Sequence, residues 1–150
     1  MMLGLELRKA VTADLPDIHA IEIESFADDA WDFEVFASIL TESDVQFMVA
    51  CLDNVVVGYY VLSFKSSERA KIGAFAVKSS HRRTGIAKLM MENILLTCSN
   101  NSRENIMLEV KAANNPAISL YSSFDFVIES HEKDYYGEGM DGSIMWRRMK

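Results

Sequence analysis

The stretch HRRTGIAKLM, residues 81–90, decides how this chain is read. It places Arg82, Arg83, Gly85 and Ala87 between an apolar run, IGAFAV, and a segment with helical periodicity. The run before it predicts a strand ending near Val77, and the helix is predicted over 85–97, with Ile86, Met90 and Ile94 on one face. The first turn of a helix carries unpaired N–H groups and the positive end of the macrodipole, which together attract an anion. Gly85 lets backbone approach a phosphate without an intervening Cβ, and small Ala87 does nearly the same. Arg82 and Arg83 add charge suited to a pyrophosphate. Taken alone, the stretch could equally be a solvated basic turn.

Working outward, the elements on either side set its context. LELRKAV alternates as a strand, and Thr12 is predicted to cap a helix running through Ile18, Ile21 and Ile23. After an acidic break, WDFEVFASIL has helical spacing at Trp31, Val35, Phe36, Ile39 and Leu40. QFMVACL and VVVGYYVLSF flank Asp53-Asn54, a two-residue hairpin connection. AKIGAFAV is the next strand. Beyond the basic stretch and its helix comes the strand NIMLEV, then a helix with Asn115 as its predicted cap and Pro116 in its first turn. FVIESH and SIMWRRM close the chain as strands, separated by EKDYYGEGMDG. This order predicts one mixed α/β (α+β) domain over residues 1–150, with a central sheet covered on both faces.

Composition narrows the function. The chain has 150 residues, 49% of them hydrophobic, and a net charge of −7. That charge argues against general nucleic-acid affinity, which needs a basic face. No apolar run is long enough for a membrane span, and the N-terminus lacks a signal-peptide pattern, so a cytoplasmic protein is expected. Cys51 and Cys98 sit in apolar runs and read as buried free thiols. The three His are far apart and no Cys/His cluster has metal-ligand spacing, so no metal is expected. Glu22, Glu24, Asp28, Asp29, Asp32 and Glu34 read mostly as a solvated acidic face.

The order of motifs carries a resemblance. Arg82-x-x-Gly85-x-Ala87 is similar to the (Q/R)-x-x-G-x-(G/A) pyrophosphate loop of the Gcn5-related N-acetyltransferases. LEVKAANNPAISLYSSFDF resembles the second half of that fold, in particular the LEV-R-x-x-N-x-x-A-I-x-L-Y run of RimI-type and related protein N-terminal acetyltransferases. SFADDAWDFEVF resembles their loop between the first two helices, and KDYYGEGMDGSIMWRRM their C-terminal hairpin. The resemblance spans nearly the whole chain. It implies a splayed, mostly antiparallel sheet of about seven strands with about four helices on its two faces.

The resemblance also implies roles. Arg82, Arg83, Thr84, Gly85, Ile86 and Ala87 would hold the pyrophosphate of acetyl-CoA, and Phe75, Ala76 and Val77 would pair with its pantetheine arm. The Val77 N–H would polarise the thioester carbonyl. Asn114 would contact the same arm. Glu109 would be the general base, directly or through water, and Tyr121 would both contact the bound acetyl-CoA and act as the acid that protonates the departing thiolate. Phe26, Asp28, Trp31, Tyr135 and Tyr136 would face the acceptor, a protein or peptide N-terminus. No metal, nucleic acid or membrane takes part, and a homo-oligomer is left open.

Outside the resemblance, Glu109 would read as a solvated strand-end carboxylate, Tyr121 as a core tyrosine and Asn114 as a turn residue. Two departures from the family pattern fall at Asp125, where a glycine is usual, and at Ala30, where a proline is common. The alternatives are acetylation of a small amine (a polyamine or an aminoglycoside) or of lysine, with Asp28, Asp29 and Asp32 suited to a polycation, and a non-catalytic acetyl-CoA-binding module.

Overall fold

The structure is a computed structural model that describes residues 4–149. The chain gathers into two compact units, Met1–Ser63 with Ala74–Ile94, and Phe64–Gly73 with Leu95–Lys150. Seven strands are hydrogen-bonded in the order β1-β2-β3-β4-β5-β7-β6. They are β1 (Leu5–Lys9), β2 (Val45–Leu52), β3 (Val55–Phe64), β4 (Arg69–Val77), β5 (Asn105–Lys111), β6 (Val127–Glu132) and β7 (Gly142–Arg148). The β1–β2, β2–β3, β5–β7 and β6–β7 ladders are antiparallel, and β4–β5 is parallel. Four α-helices complete the mixed α/β fold: α1 (Leu15–Phe26), α2 (Phe33–Ile39), α3 (Ile86–Asn100) and α4 (Asn115–Ser123).

In the first unit, α1 buries Leu15, Ile18 and Ile21 in a cluster with Phe36 of α2 and Phe47, Val49, Tyr59 and Val61 of the sheet. The hairpin between β2 and β3 forms as expected. Asp53 and Asn54 both adopt left-handed backbone (φ 51° and 69°), the geometry whose twist matches two antiparallel strands. In the second unit, Ile106, Leu108 and Val110 alternate into the interior of β5, leaving Met107, Glu109 and Lys111 on the opposite face. The β4–β5 ladder ends at Ile72 against Leu108, so from Glu109 onward β5 pairs with β7 alone. Cys51 and Cys98 are buried free thiols, and burial pushes Cys98 up to about 11.

Two helix caps differ from expectation. Thr12 lies in a short 3-10 turn (Thr12–Asp14), and α1 starts at Leu15, with Asp14 at its cap position and the Asp14 carboxylate engaged elsewhere. It accepts the Val11 N–H at 2.8 Å and pairs with the Arg8 guanidinium, which holds it below the usual carboxylate range. In α4 the cap is Asn114 rather than Asn115. Its Oδ1 accepts the Ala117 N–H at 3.3 Å, and Asn115 and Pro116 form the first turn. Asp125 has φ 68°, the left-handed conformation that lets it stand where a glycine is usual.

Candidate functional site

The first unit carries the basic stretch. β4 ends at Val77, with Phe75, Ala76 and Val77 all buried, and a 3-10 turn (Ser79–His81) follows. Arg83 (φ 63°) and Gly85 (φ 91°) both take left-handed backbone, which throws the chain into a tight loop before α3. The Thr84 hydroxyl donates to the His81 carbonyl and closes that loop. Helical bonding begins with the Leu89 N–H on the Gly85 carbonyl at 3.0 Å, so the amides of Ile86, Ala87 and Lys88 lie in the open first turn. A Cβ built on Gly85 would meet no atom within 4 Å. Glycine is required here by backbone conformation, and the space beside it is open.

Arg82 behaves differently from expectation. Its guanidinium does not reach out beside Arg83; Nε donates to the Val77 carbonyl at 3.2 Å and Nη2 to the Ser25 hydroxyl at 3.2 Å. It therefore fixes the end of β4 to the last turn of α1. The same turn of α1 contributes Glu24, whose carboxylate accepts the Ser79 N–H at 2.7 Å. Phe26 and Trp31 are partly buried against the core of this unit, with the Trp31 ring 5.4 Å from that of Phe36. Asp28 is exposed in the 3-10 turn Ala27–Asp29.

The second unit carries the titratable groups. Glu109, on the outer face of β5, has one oxygen 2.8 Å from Lys71 Nζ of β4. The other accepts the hydroxyl of Tyr135, from the loop between β6 and β7. Burial would raise the Glu109 pKa, but these two partners outweigh it and hold the carboxyl below its ordinary value. The same bond pushes the Tyr135 hydroxyl up to about 12. Tyr135 can lie there because β7 starts at Gly142, where an added Cβ would come within 2.9 Å of the Tyr135 Cβ. Tyr136 stacks edge-on against Tyr135 with centroids 5.2 Å apart, and Lys111 lies 5.9 Å over the Tyr136 ring.

Tyr121 is 8% exposed on α4, 6.1 Å ring to ring from Phe126. Burial, and to a lesser degree Tyr136, pushes its hydroxyl well above the usual phenol value, so it stays protonated at neutral pH. Asn114 uses its carboxamide oxygen as the α4 cap, which leaves the amide nitrogen as the group a ligand carbonyl could meet. A concavity of about 480 Å³ is lined by Lys111, Ala112 and Ala113 at the end of β5 and by Gly139, Met140 and Asp141 of the hairpin loop.

Among the sequence-predicted residues, Glu109 and Tyr135 are in contact, and Tyr121 shares their unit with Asn114 and Tyr136. Val77, the Arg82–Ala87 loop, Phe26, Asp28 and Trp31 belong to the other unit. Two residues were missed. Lys71 reads as an ordinary polar position in an alternating strand, and nothing local marks it as the partner of Glu109. Glu22 is 3% exposed, not part of a solvated face as expected. Its signal was the spacing Leu15, Ile18, Glu22, which puts it on the buried stripe of α1.

The Acetyltransferase (GNAT) family model matches residues 12–126. The chain belongs to this family. An N-alpha-acetyltransferase of Saccharolobus solfataricus is 30% identical over 153 residues, covering 94% of this chain and 91% of that one. The L-amino acid N-acetyltransferase AaaT of Escherichia coli is 32% identical over 110 residues, covering 69% and 68%. Among solved structures, Ard1 from Thermoplasma volcanium superposes with a TM-score of 0.90 at 26% identity, covering 99% of both chains. The acetyltransferase fold and the acyltransferase class follow for this chain. No helix among the described residues is long and apolar enough to cross a membrane.

Proposed function

We propose that residues 1–150 act as one acetyltransferase domain that moves acetyl from acetyl-CoA to the α-amine of a protein or peptide N-terminus. The observation that carries the choice of acceptor is the state of Glu109, a carboxylate held ionised and below its ordinary pKa by Lys71 and Tyr135. Such a group is a weak base. An α-amine with pKa of about 7.7–8.0 is about one-tenth neutral at pH 7, whereas a lysine amine near 10.4 is neutral in only about four molecules in ten thousand. A weak base suits the first and not the second. The name of the Saccharolobus relative, an N-alpha-acetyltransferase, supports the same acceptor.

In this reading the main-chain amides of Arg83 to Ala87 take the pyrophosphate of acetyl-CoA, and Phe75, Ala76, Val77 and Asn114 take the pantetheine arm. The amine nitrogen attacks the thioester carbonyl carbon, and the developing oxyanion is met by the Val77 N–H. The C–S bond breaks, the amine proton leaves to Glu109 through a water, and the thiolate takes the Tyr121 proton. A thiol of pKa about 8.5 leaves readily, and Tyr121 remains protonated to meet it. Phe26, Asp28, Trp31, Tyr135 and Tyr136 border the acceptor. Cys51 and Cys98 are buried with raised pKa values, which supports direct transfer over an acetyl-enzyme. The cytoplasm is the expected setting.

The test is CoA release with mass spectrometry locating the acetyl group. The acceptors are peptides with free or blocked N-termini, an internal-lysine peptide, a free L-amino acid and spermidine. Acetyl on the free peptide α-amine, lost when it is blocked, supports the reading. Transfer only to a free amino acid, as the AaaT resemblance would suggest, or only to lysine or spermidine, moves the acceptor assignment while leaving the donor chemistry in place. Acetyl-CoA binding with no turnover on any amine points to a binding module.

A further inference from the structure

Glu22 sits on the buried stripe of α1 and is 3% exposed. Its two oxygens are both used. Oε2 accepts the main-chain N–H of Trp31 at 2.9 Å, and Oε1 accepts the hydroxyl of Tyr59, itself fully buried on β3. Burial pushes the carboxyl up, against the pull of those two donors. A buried carboxylate is a costly way to fill space, since an apolar side chain of similar volume often does as well or better. What the carboxylate supplies is a strong, directed acceptor for one particular amide.

That amide belongs to the segment between α1 and α2. The segment leaves α1 through a left-handed Ala27 (φ 48°), makes the 3-10 turn Ala27–Asp29, and runs extended through Ala30 to Asp32. The Ala27 N–H on the Ile23 carbonyl ties down its start, and the Ala30 N–H on Ala27 closes the turn. Trp31 is held by Glu22. Two residues further along the same helix, Glu24 and Ser25 hold a different segment: Glu24 accepts the Ser79 N–H and Ser25 accepts from Arg82. Neighbouring positions of α1 thus anchor two separate pieces of chain, one carrying Asp28 and Trp31 and the other leading into the Arg82–Ala87 loop.

We propose that Glu22 is a positioning residue for acceptor recognition: by fixing the Trp31 amide it sets the path of residues 27–32, and with it the affinity for the acceptor, independently of acetyl-CoA. This rests on the reading above that Phe26, Asp28 and Trp31 border the acceptor. Glu24, on the same helix, acts on the donor loop instead.

The experiment compares Glu22→Ala, Glu22→Gln, Tyr59→Phe and Glu24→Ala by steady-state kinetics with acetyl-CoA and a free-N-terminus peptide varied in turn. Hydrogen exchange at the Trp31 amide is followed in parallel. Leaving a part-buried amide without its acceptor is expected to raise the acceptor KM about tenfold in Glu22→Ala, with the acetyl-CoA KM within about twofold of wild type. Glu22→Gln keeps an oxygen for the Trp31 N–H and recovers most of the loss. Glu24→Ala does the opposite, raising the acetyl-CoA KM and sparing the acceptor KM.

Should Glu22→Ala fail to fold, Glu22→Gln and Tyr59→Phe carry the test. Each then shows a smaller rise in acceptor KM in proportion to its faster exchange at Trp31. The proposal is overturned if the Trp31 amide is deprotected and the acceptor KM does not change, or if both KM values rise together. If the wild type turns over only a free amino acid, lysine or spermidine, the peptide reading fails. The same KM comparison on that acceptor then decides the Glu22 proposal separately.

Discussion

The loop at 79–87 and the cluster around Glu109 are built on opposite principles. The loop offers main-chain amides, and its shape depends on two left-handed residues, Arg83 and Gly85, and on the first turn of α3. Its Arg82 side chain is turned back onto β4 and α1. The Glu109 cluster is made of side-chain atoms from β4, β5 and the β6–β7 loop, brought together by the sheet register. Substituting a side chain should therefore disturb chemistry in the second region and donor affinity in the first. It should do so in the first region only where the backbone conformation needs that residue.

The largest expected effects lie in the second unit, at Glu109 and at Tyr121 of α4. Glu109→Gln and Tyr121→Phe should each lower kcat by about 100-fold or more, the usual contribution of a positioned acid or base, with acetyl-CoA affinity near wild type. Calorimetric binding alongside turnover would break the comparison if donor affinity fell equally.

Next is Gly85→Val. At φ 91° a β-branched residue is strained, and a cost of about 1–3 kcal/mol in the loop should raise the acetyl-CoA Kd by about tenfold or more. Turnover at saturating donor should largely persist. Arg82→Ala sharpens the point, because its loss should show as a shift of the loop and α1 rather than as a simple loss of anion charge.

A smaller effect follows from Lys71→Met. Lys71 lowers the Glu109 pKa, so its removal raises that pKa, and NMR titration of the Glu109 carboxyl should move upward. The base is then lost at higher pH, and the acid side of the rate profile moves the same way. For stability the sign is fixed by the same shift. A lowered carboxylate pKa stabilises the fold above the unfolded-state value and loses that contribution as pH falls, so Lys71→Met flattens the acid dependence of stability.

The smallest is Asn114→Ala. Removal of the α4 cap should cost about 1 kcal/mol, visible as a modest fall in Tm. A much larger fall in turnover than in stability would give Asn114 a role at the donor besides the cap.

The same contrast explains what the sequence made legible. The loop is contiguous, so Gly85, the strand before it and the helix after it could all be read in one window. The hairpin at Asp53-Asn54 and the left-handed Asp125 were legible for the same reason, since each is a local conformational demand. The Glu109 cluster was legible only in part. Lys71 and Glu109 are partners because β4 and β5 run parallel with Ile72 beside Leu108, and a ladder between separate segments leaves no mark in either. Glu22 could have been found, because its spacing from Leu15 and Ile18 places it inside; the surrounding acidic residues concealed it. The cap of α1 lies two residues after the expected Thr12, at Asp14, which pairs with Arg8, and that of α4 one residue before the expected Asn115, since Asn114 and Asn115 are equally suited by type.

The most direct test of the proposed division between donor loop and acid-base cluster measures acetyl-CoA affinity by calorimetry and single-turnover transfer to a free-N-terminus peptide, on Gly85→Val and Glu109→Gln side by side. The account predicts that Gly85→Val binds acetyl-CoA weakly yet transfers acetyl at near wild-type rate once saturated. Glu109→Gln should bind it normally and transfer it at least about 100-fold more slowly. Equal loss of affinity and transfer in both variants would contradict the division.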